Sequence, residues 1–321
     1  MLFVTFLRNA IRFSTIFLFG STGETIVEKS GHLNMGIPGV MCIGALAGCA
    51  GMSIYFSSLT DPSQINLFGA VVLGIIFTLI SGAICGAVFS FFTVTLKCNQ
   101  NITGLTLTTL GAGINLFVFK RLEVFSSYFG KASDGFRSLF PVNFGDNWFT
   151  DIFFSYGILV YLALIIAVVA TIIFSKTRIG LNLKAVGESP ATADSAGINV
   201  NRYRYLATII GCSIASLGGL FMIMDYLGGN IEYGLDEYGW LAVAIVIFSM
   251  WKPHFGILAS FIFGALYIAP DFLSVSFAMK NVIKMIPYVV TIIVLVITSI
   301  LNKKGNQPPE GLGINYDREK R

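Results

Sequence analysis

The sequence predicts an all-α integral membrane protein with about nine transmembrane helices and one short helix held between two of them. Three observations carry this. Hydrophobic residues make up 55% of the 321-residue chain and charged residues only 12%, with a mean hydropathy of +0.77. The apolar residues run continuously and do not alternate with period two, which favours helices over a barrel. A compact polar insert, GLNLKAVGESPATADSAGINVN at 180–201, interrupts them.

A helix needs roughly 20 apolar residues to cross a ~30 Å hydrocarbon core. Windows 36–57, 67–96, 151–174, 205–228 and 255–275 meet that, and 2–20, 102–119, 239–251 and 282–301 are shorter or more polar candidates. Segment 239–251 covers only about 20 Å at 1.5 Å per residue. It is kept as a crossing, begun by the preceding YGLDEY, because otherwise the basic C-terminal tail would change sides. Arg8 and Arg12 inside the first run argue against a signal peptide.

With nine crossings, the termini lie on opposite sides. Placing 175–204 in the cytoplasm puts more of the 21 Lys and Arg residues inside than outside, so the N-terminus is expected out and the C-terminus in. Residues 1–301 form the transmembrane domain, and the polar tail 302–321, with Pro308 and Pro309, is expected to be disordered. The long outer loop 120–150, with Phe125, Tyr128, Phe129, Phe136, Phe140, Phe144, Trp148 and Phe149, reads as an interfacial aromatic segment or as a docking surface.

Five cysteines without paired spacing (Cys42, Cys49, Cys85, Cys98, Cys212) read as small apolar residues. Gly44 with Gly48 and Gly82 with Gly86 have the spacing that lets membrane helices approach closely. GSTGETIVEKSGHLNMGIPG at 20–39 reads either as a cytoplasmic loop or as a broken helix beside a polar path. His32 has no neighbours that complete a metal site. Asp225, Asp271 and Lys284 sit near predicted span ends and are expected to snorkel. A net charge of +4 points to membrane topology, not to nucleic acid. No phosphate-cradling G-x-x-x-x-G-K-[ST] is present, nor a chain of buried carboxylates, so energy for uphill movement must come from elsewhere.

Within the insert, Ser189 before Pro190 suits a helix cap followed by Pro at the first position, and Gly197 suits a left-handed stop. The resulting helix, 190–196, is too short to stand alone in water. It must dock, and Ala191, Ala193 and Ala196 offer a smooth surface for a groove.

This insert resembles the cytoplasmic coupling segment of ABC-importer permeases of the branched-chain amino acid, ribose and nucleoside superfamily. Gly180, Leu181, Ala185, Val186, Gly187, Pro190, Ala193, Ala196, Gly197 and Ile198 match its pattern, while Lys184 stands for the usual Arg and Thr192 for an Ala. EKSGHLNMGIPGVMCIGA and GWLAVAIVIFSMWKPHFGILASFIFGA are similar to two further family segments, with Pro38 where Glu is usual and Ser249 where Gly is frequent. The first is most like the purine-nucleoside permeases that work with a basic-membrane-protein-type binding lipoprotein.

The resemblance implies a non-enzymatic permease subunit in a bacterial cytoplasmic (inner) membrane, importing a nucleoside. It implies a partner ATPase subunit that binds ATP and Mg, a second and paralogous permease, and an extracellular lipoprotein. Contact with the ATPase is expected from Gly187, Glu188, Pro190, Ala193, Asp194, Ala196 and Gly197. A neutral, hydrogen-bonding solute with an aromatic base favours uncharged polar and aromatic lining. Asn34, Thr106, Thr109, Asn115, Phe117, Tyr226 and Trp240 are the candidates; Thr106, Thr109 and Asn115 cannot all share one helical face. A sugar such as ribose is the runner-up solute, and an ion-coupled secondary transporter the competing class.

Overall fold

A computed structural model describes residues 2–138, 148–231, 235–273, 276–301 and 307–317. Among these residues every regular element is helical. The helices are α1 (Leu2–Glu28), α2 (Ile37–Phe56), α3 (Leu67–Ser90), α4 (Gln100–Leu122), α5 (Ser126–Ser138), α6 (Trp148–Phe153), α7 (Ile158–Lys176), α8 (Arg178–Glu188), α9 (Pro190–Ser195), α10 (Val200–Phe221), α11 (Leu235–Phe248), α12 (Pro253–Phe272), α13 (Phe277–Ile283) and α14 (Ile286–Leu301). Single π-turns extend α3 and α10, at Phe91–Thr95 and Met222–Tyr226.

Among the described residues, seven helical runs are long and apolar enough to cross a bilayer, against the nine crossings expected. The shortfall lies in α11 and α14, apolar but only 14 and 16 residues long, or about 21 and 24 Å against a core of ~30 Å. The crossing expected over 151–174 is divided: α6 ends at Phe153 and α7 starts at Ile158.

Helix α10 is the axle of the bundle and packs on α1, α2 and α3. Small residues set the spacing. A Cβ on Gly23 of α1 would stand 2.3 Å from the Gly211 carbonyl, and one on Gly211 would stand 2.5 Å from the Gly23 carbonyl. Gly82 and Gly86 of α3 meet the α10 backbone in the same way, at the Cys212 and Thr208 carbonyls. In a membrane such close approach replaces the hydrophobic drive that water would supply.

The stretch 20–39 is mostly helix. Helix α1 continues through Gly20 and Gly23 to Glu28, and only 29–36 break away before α2 begins. Gly31 takes the left-handed conformation there (φ +84°), which favours glycine. Backbone freed by the break must find partners. Glu24 Oε1 accepts from Asn34 N at 3.2 Å, Gln100 Oε1 from Leu33 N at 2.8 Å, and Thr108 Oγ1 donates to Met35 O at 2.8 Å.

Two expectations at the other end are also corrected. Asp225 does not snorkel: it is buried and paired with Arg12, while Asp271 is exposed. The aromatic residues described in 120–138 do not form a lipid-facing belt. Phe129 and Phe136 are wholly buried, and Phe56 packs on Phe129 at 5.4 Å and on Tyr128 at 5.5 Å, so α5 caps the bundle. Phe140 and Phe144 lie outside the described residues.

Four of the five cysteines are buried as small apolar residues, Cys98 is exposed, and all five are free.

Candidate coupling face and solute groove

The α8–α9 corner sits at one end of the bundle with the α1–α2 break and the α3–α4 turn. Thr177 caps α8 by accepting from Gly180 N at 3.1 Å. Ser189 caps α9, accepting from Thr192 N at 3.4 Å, and Pro190 occupies the first turn. Gly197, at φ +82°, ends the corner as its sequence suggests.

The corner has an inward and an outward face. Ala193 is 3% exposed and packs with Val186 and Val200, so it does not belong to the smooth outer surface expected of it. Gly187 is buried too; a Cβ there would lie 2.4 Å from the Lys29 carbonyl. Ala191, Ala196, Gly197 and Glu188 are exposed, and Pro190 and Asp194 are half-buried. The surface open to a partner is therefore Glu188, Pro190, Ala191, Asp194, Ala196 and Gly197, braced from behind by Gly187 and Ala193.

Residues 307–317 lie against the same end, which corrects the expectation of disorder for that part of the tail. Gly311 N donates to Gly187 O at 2.9 Å and Gly313 N to Gly31 O at 3.1 Å. Polar groups that single-helix reasoning could not place meet nearby. Arg204 is buried and gives its one hydrogen bond to Ile314 O at 3.0 Å, and Thr208 shares a 3.0 Å hydrogen bond with His32 Nδ1. Burial, with Arg204 beside it, holds His32 well below the usual histidine range.

The seven candidate path residues do not converge on one cavity. Asn34 is wholly buried, donating to Cys212 Sγ at 3.3 Å and accepting from Gly36 N at 2.9 Å; it braces the α1–α2 break. Asn115 is buried, facing inward from α4. Thr106, Thr109 and Phe117 lie on the opposite, exposed face of α4 and line one shallow groove with Leu110, Gly113 and Ile114. Both threonine hydroxyls donate to their own helix carbonyls at 2.8 Å. Arg121 stacks over the Phe117 ring at 4.7 Å. Trp240 is partly exposed on α11.

Tyr226 joins an aromatic cluster at the α5 end. Phe13 is the hub: it stacks on Tyr267 at 4.8 Å and meets Tyr226 edge-on at 5.0 Å and Tyr238 at 5.7 Å. Sequence reasoning missed Phe13, Tyr238 and Tyr267, which are far apart in the chain. Gly113, which as a glycine within a span reads as a packing residue, has open space at its Cβ position instead.

Residues 6–296 match the family described as branched-chain amino acid transport system / permease component. The chain is 28% identical over 326 residues to the nucleoside ABC transporter permease protein NupC of Lactococcus lactis, covering 97% of this chain and 96% of that one. It is 27% identical to the guanosine ABC transporter permease protein NupQ of Bacillus subtilis (93% and 92% covered) and 31% identical to the putative glucose ABC transporter permease protein TsgC13 of Haloferax volcanii (83% and 77%). The chain belongs to the branched-chain amino acid transport system permease family and is an ABC transporter permease.

Proposed function

We propose that this chain moves a purine nucleoside inward across a bacterial cytoplasmic membrane, driven by ATP hydrolysis in a partner subunit. The observation that carries the reading is the α4 groove. Its lining is largely apolar, with an aromatic ring, a bare glycine and two threonines whose hydroxyls bond their own helix, and it holds no charged side chain of its own, Arg121 lying over the Phe117 ring. A neutral solute with a flat base and a hydroxylated sugar fits such a surface; a zwitterionic amino acid would leave two charges unmatched. Relatives with nearly full-length matches carry nucleoside and guanosine in their names, which supports the same solute class.

In this reading the outward face of α8–α9 seats in the ATP-binding subunit, where ATP and Mg are held. The remaining exposed face of α4, with Ile102, Leu105 and Leu116, meets a second, paralogous permease, so the groove lies between the two. The α5 end receives the binding lipoprotein. The basic-residue bias puts the N-terminus outside and the C-terminus inside. α11 and α14, though short, complete nine crossings by drawing on their flanking residues.

A simple sugar is the second reading, favoured by the 31% identity to a putative glucose permease. Uptake of labelled guanosine, ribose and leucine by cells carrying the complete set of subunits separates them. Guanosine uptake that excess ribose does not displace is the expected result. Ribose transported without guanosine rejects the nucleoside and leaves the importer standing.

A further inference from the structure

The tail residues 307–317 touch α8, α9, the α1–α2 break and the α3–α4 turn. Glu310 N donates to Glu188 Oε2 at 3.2 Å, and Gly311 N to Gly187 O at 2.9 Å, at the end of α8. Tyr316 OH donates to Asp194 Oδ2 at 2.9 Å, on α9. Gly313 N reaches the Gly31 carbonyl in the α1–α2 break. Asn315 Nδ2 donates to the carbonyls of Lys97 and Cys98 at 2.7 and 3.0 Å, and Asp317 pairs with Lys97 at 2.8 Å, in the α3–α4 turn.

One side chain joins these contacts to the solute groove. Gln100, the first residue of α4, accepts from Leu33 N at 2.8 Å and donates to Asn315 Oδ1 at 2.9 Å. Asn315 therefore links the tail to the start of the helix that carries Thr106, Thr109 and Phe117. The contacts are also tight: a Cβ on Gly311 would lie 2.6 Å from the Gly187 carbonyl. Arg204, a large buried cation, spends its one hydrogen bond on the tail's Ile314 carbonyl. A buried charge tied to a backbone carbonyl is costly to release, which fixes the tail's place.

We propose that residues 307–317 form a strap that makes the α8–α9 corner, the α1–α2 break and the start of α4 move as one unit, with Asn315 and Tyr316 as its positioning residues. The proposal rests on the reading that α8–α9 seats in an ATPase subunit. Without the strap, α9 would be joined to α4 only through intervening helices, and a push on α9 would be partly absorbed at the Gly197 and Gly31 turns. With it, hydrogen bonds run from Asp194 through Tyr316 to the neighbouring Asn315 and on to Gln100.

The test uses the complete transporter in proteoliposomes with its ATPase subunit and binding protein, and reads solute moved per ATP hydrolysed. In the Asn315→Ala/Tyr316→Phe double variant this ratio is expected to fall about fivefold or more, the size of an ordinary coupling between sites, while ATP hydrolysis continues and thermal stability stays near wild type. Ile314→Ala is the control, because Ile314 serves through its main-chain carbonyl and its side chain is exposed; its ratio should not change. If the double variant fails to fold, the single Tyr316→Phe change, which removes one hydroxyl, carries the same test. A wild-type ratio in the variants overturns the strap. Wild-type transporter that moves solute without hydrolysing ATP instead overturns the importer reading beneath it.

Discussion

Arg12 Nε donates to Asp225 Oδ1 at 2.7 Å, joining residues 213 positions apart in the chain. A second Arg12 nitrogen and Arg137 Nε both reach the Asp225 carbonyl, and Arg137 also donates to Tyr226 O at 3.0 Å. Two arginines from α1 and α5 thus hold the π-turn that ends α10. Removing one partner of a buried pair strands the other charge, at a cost of about 3–5 kcal/mol. Asp225→Ala is expected to lower the thermal unfolding midpoint clearly, and Asp225→Leu combined with Arg12→Met to recover part of the loss. Equal stability of Asp225→Ala and wild type would show that the pair contributes nothing.

The two faces of α9 predict opposite outcomes. Ala193→Arg drives a charge into the packing of Val186 and Val200 and is expected to destabilise the protein by about 3 kcal/mol or more. Ala196→Trp adds bulk to the exposed face; it should insert and fold normally but fail to bind the ATPase subunit, as read by co-purification. Normal co-purification of Ala196→Trp would remove this face from the interface.

Two glycines of α4 give a similar contrast. A Cβ on Gly111 would meet the Gly39 carbonyl at 2.5 Å, whereas Gly113 has open space. Gly111→Ala should cost about 1–3 kcal/mol by overpacking. Gly113→Leu should leave stability intact, since Leu favours a helix more than Gly does, and should slow uptake by filling the groove. Unchanged uptake kinetics for Gly113→Leu would place the solute path elsewhere.

His32 predicts a pH dependence. Its pKa is lowered in the folded state by burial and by Arg204, while the unfolded value is near the ordinary ~6.5. The unfolded chain then binds the extra proton first, so stability is full above about pH 6.5 and is lost as the pH falls below it. Thermal midpoints measured from pH 7.5 to 5 should decline, and His32→Gln should flatten that slope. A slope identical in the variant would assign the effect to another group.

Much of this was legible in the sequence because it is local. Ser189, Pro190 and Gly197 specify a cap, a first turn and a stop within nine residues, and a helix forms between them. Gly82 and Gly86 announce close packing by spacing alone. Counting along α4 showed that Thr106, Thr109 and Asn115 cannot all share one face, though not which of them line the groove. What was hidden depends on partners far along the chain. Arg12 looks like a lone charge inside the first apolar run and Asp225 like one near a span end, and only the fold turns them into a pair. Phe13 gives no sign that Tyr226, Tyr238 and Tyr267 surround it. The tail reads as disordered because its own residues bury little, yet it is held by the carbonyls of Gly31, Lys97 and Gly187, which any sequence could supply. α11 and α14 read as apolar from the sequence, but where each begins and ends, and so how long it is, depends on the fold.

The central claim, ATP-driven import of a nucleoside, is tested most directly by guanosine uptake into proteoliposomes holding this permease with its partner subunits. Uptake should require ATP on the α8–α9 side, and should stop when the ATPase subunit is inactivated, with any ion gradient left in place. Guanosine accumulation that persists without ATP, driven by the gradient alone, would contradict the account.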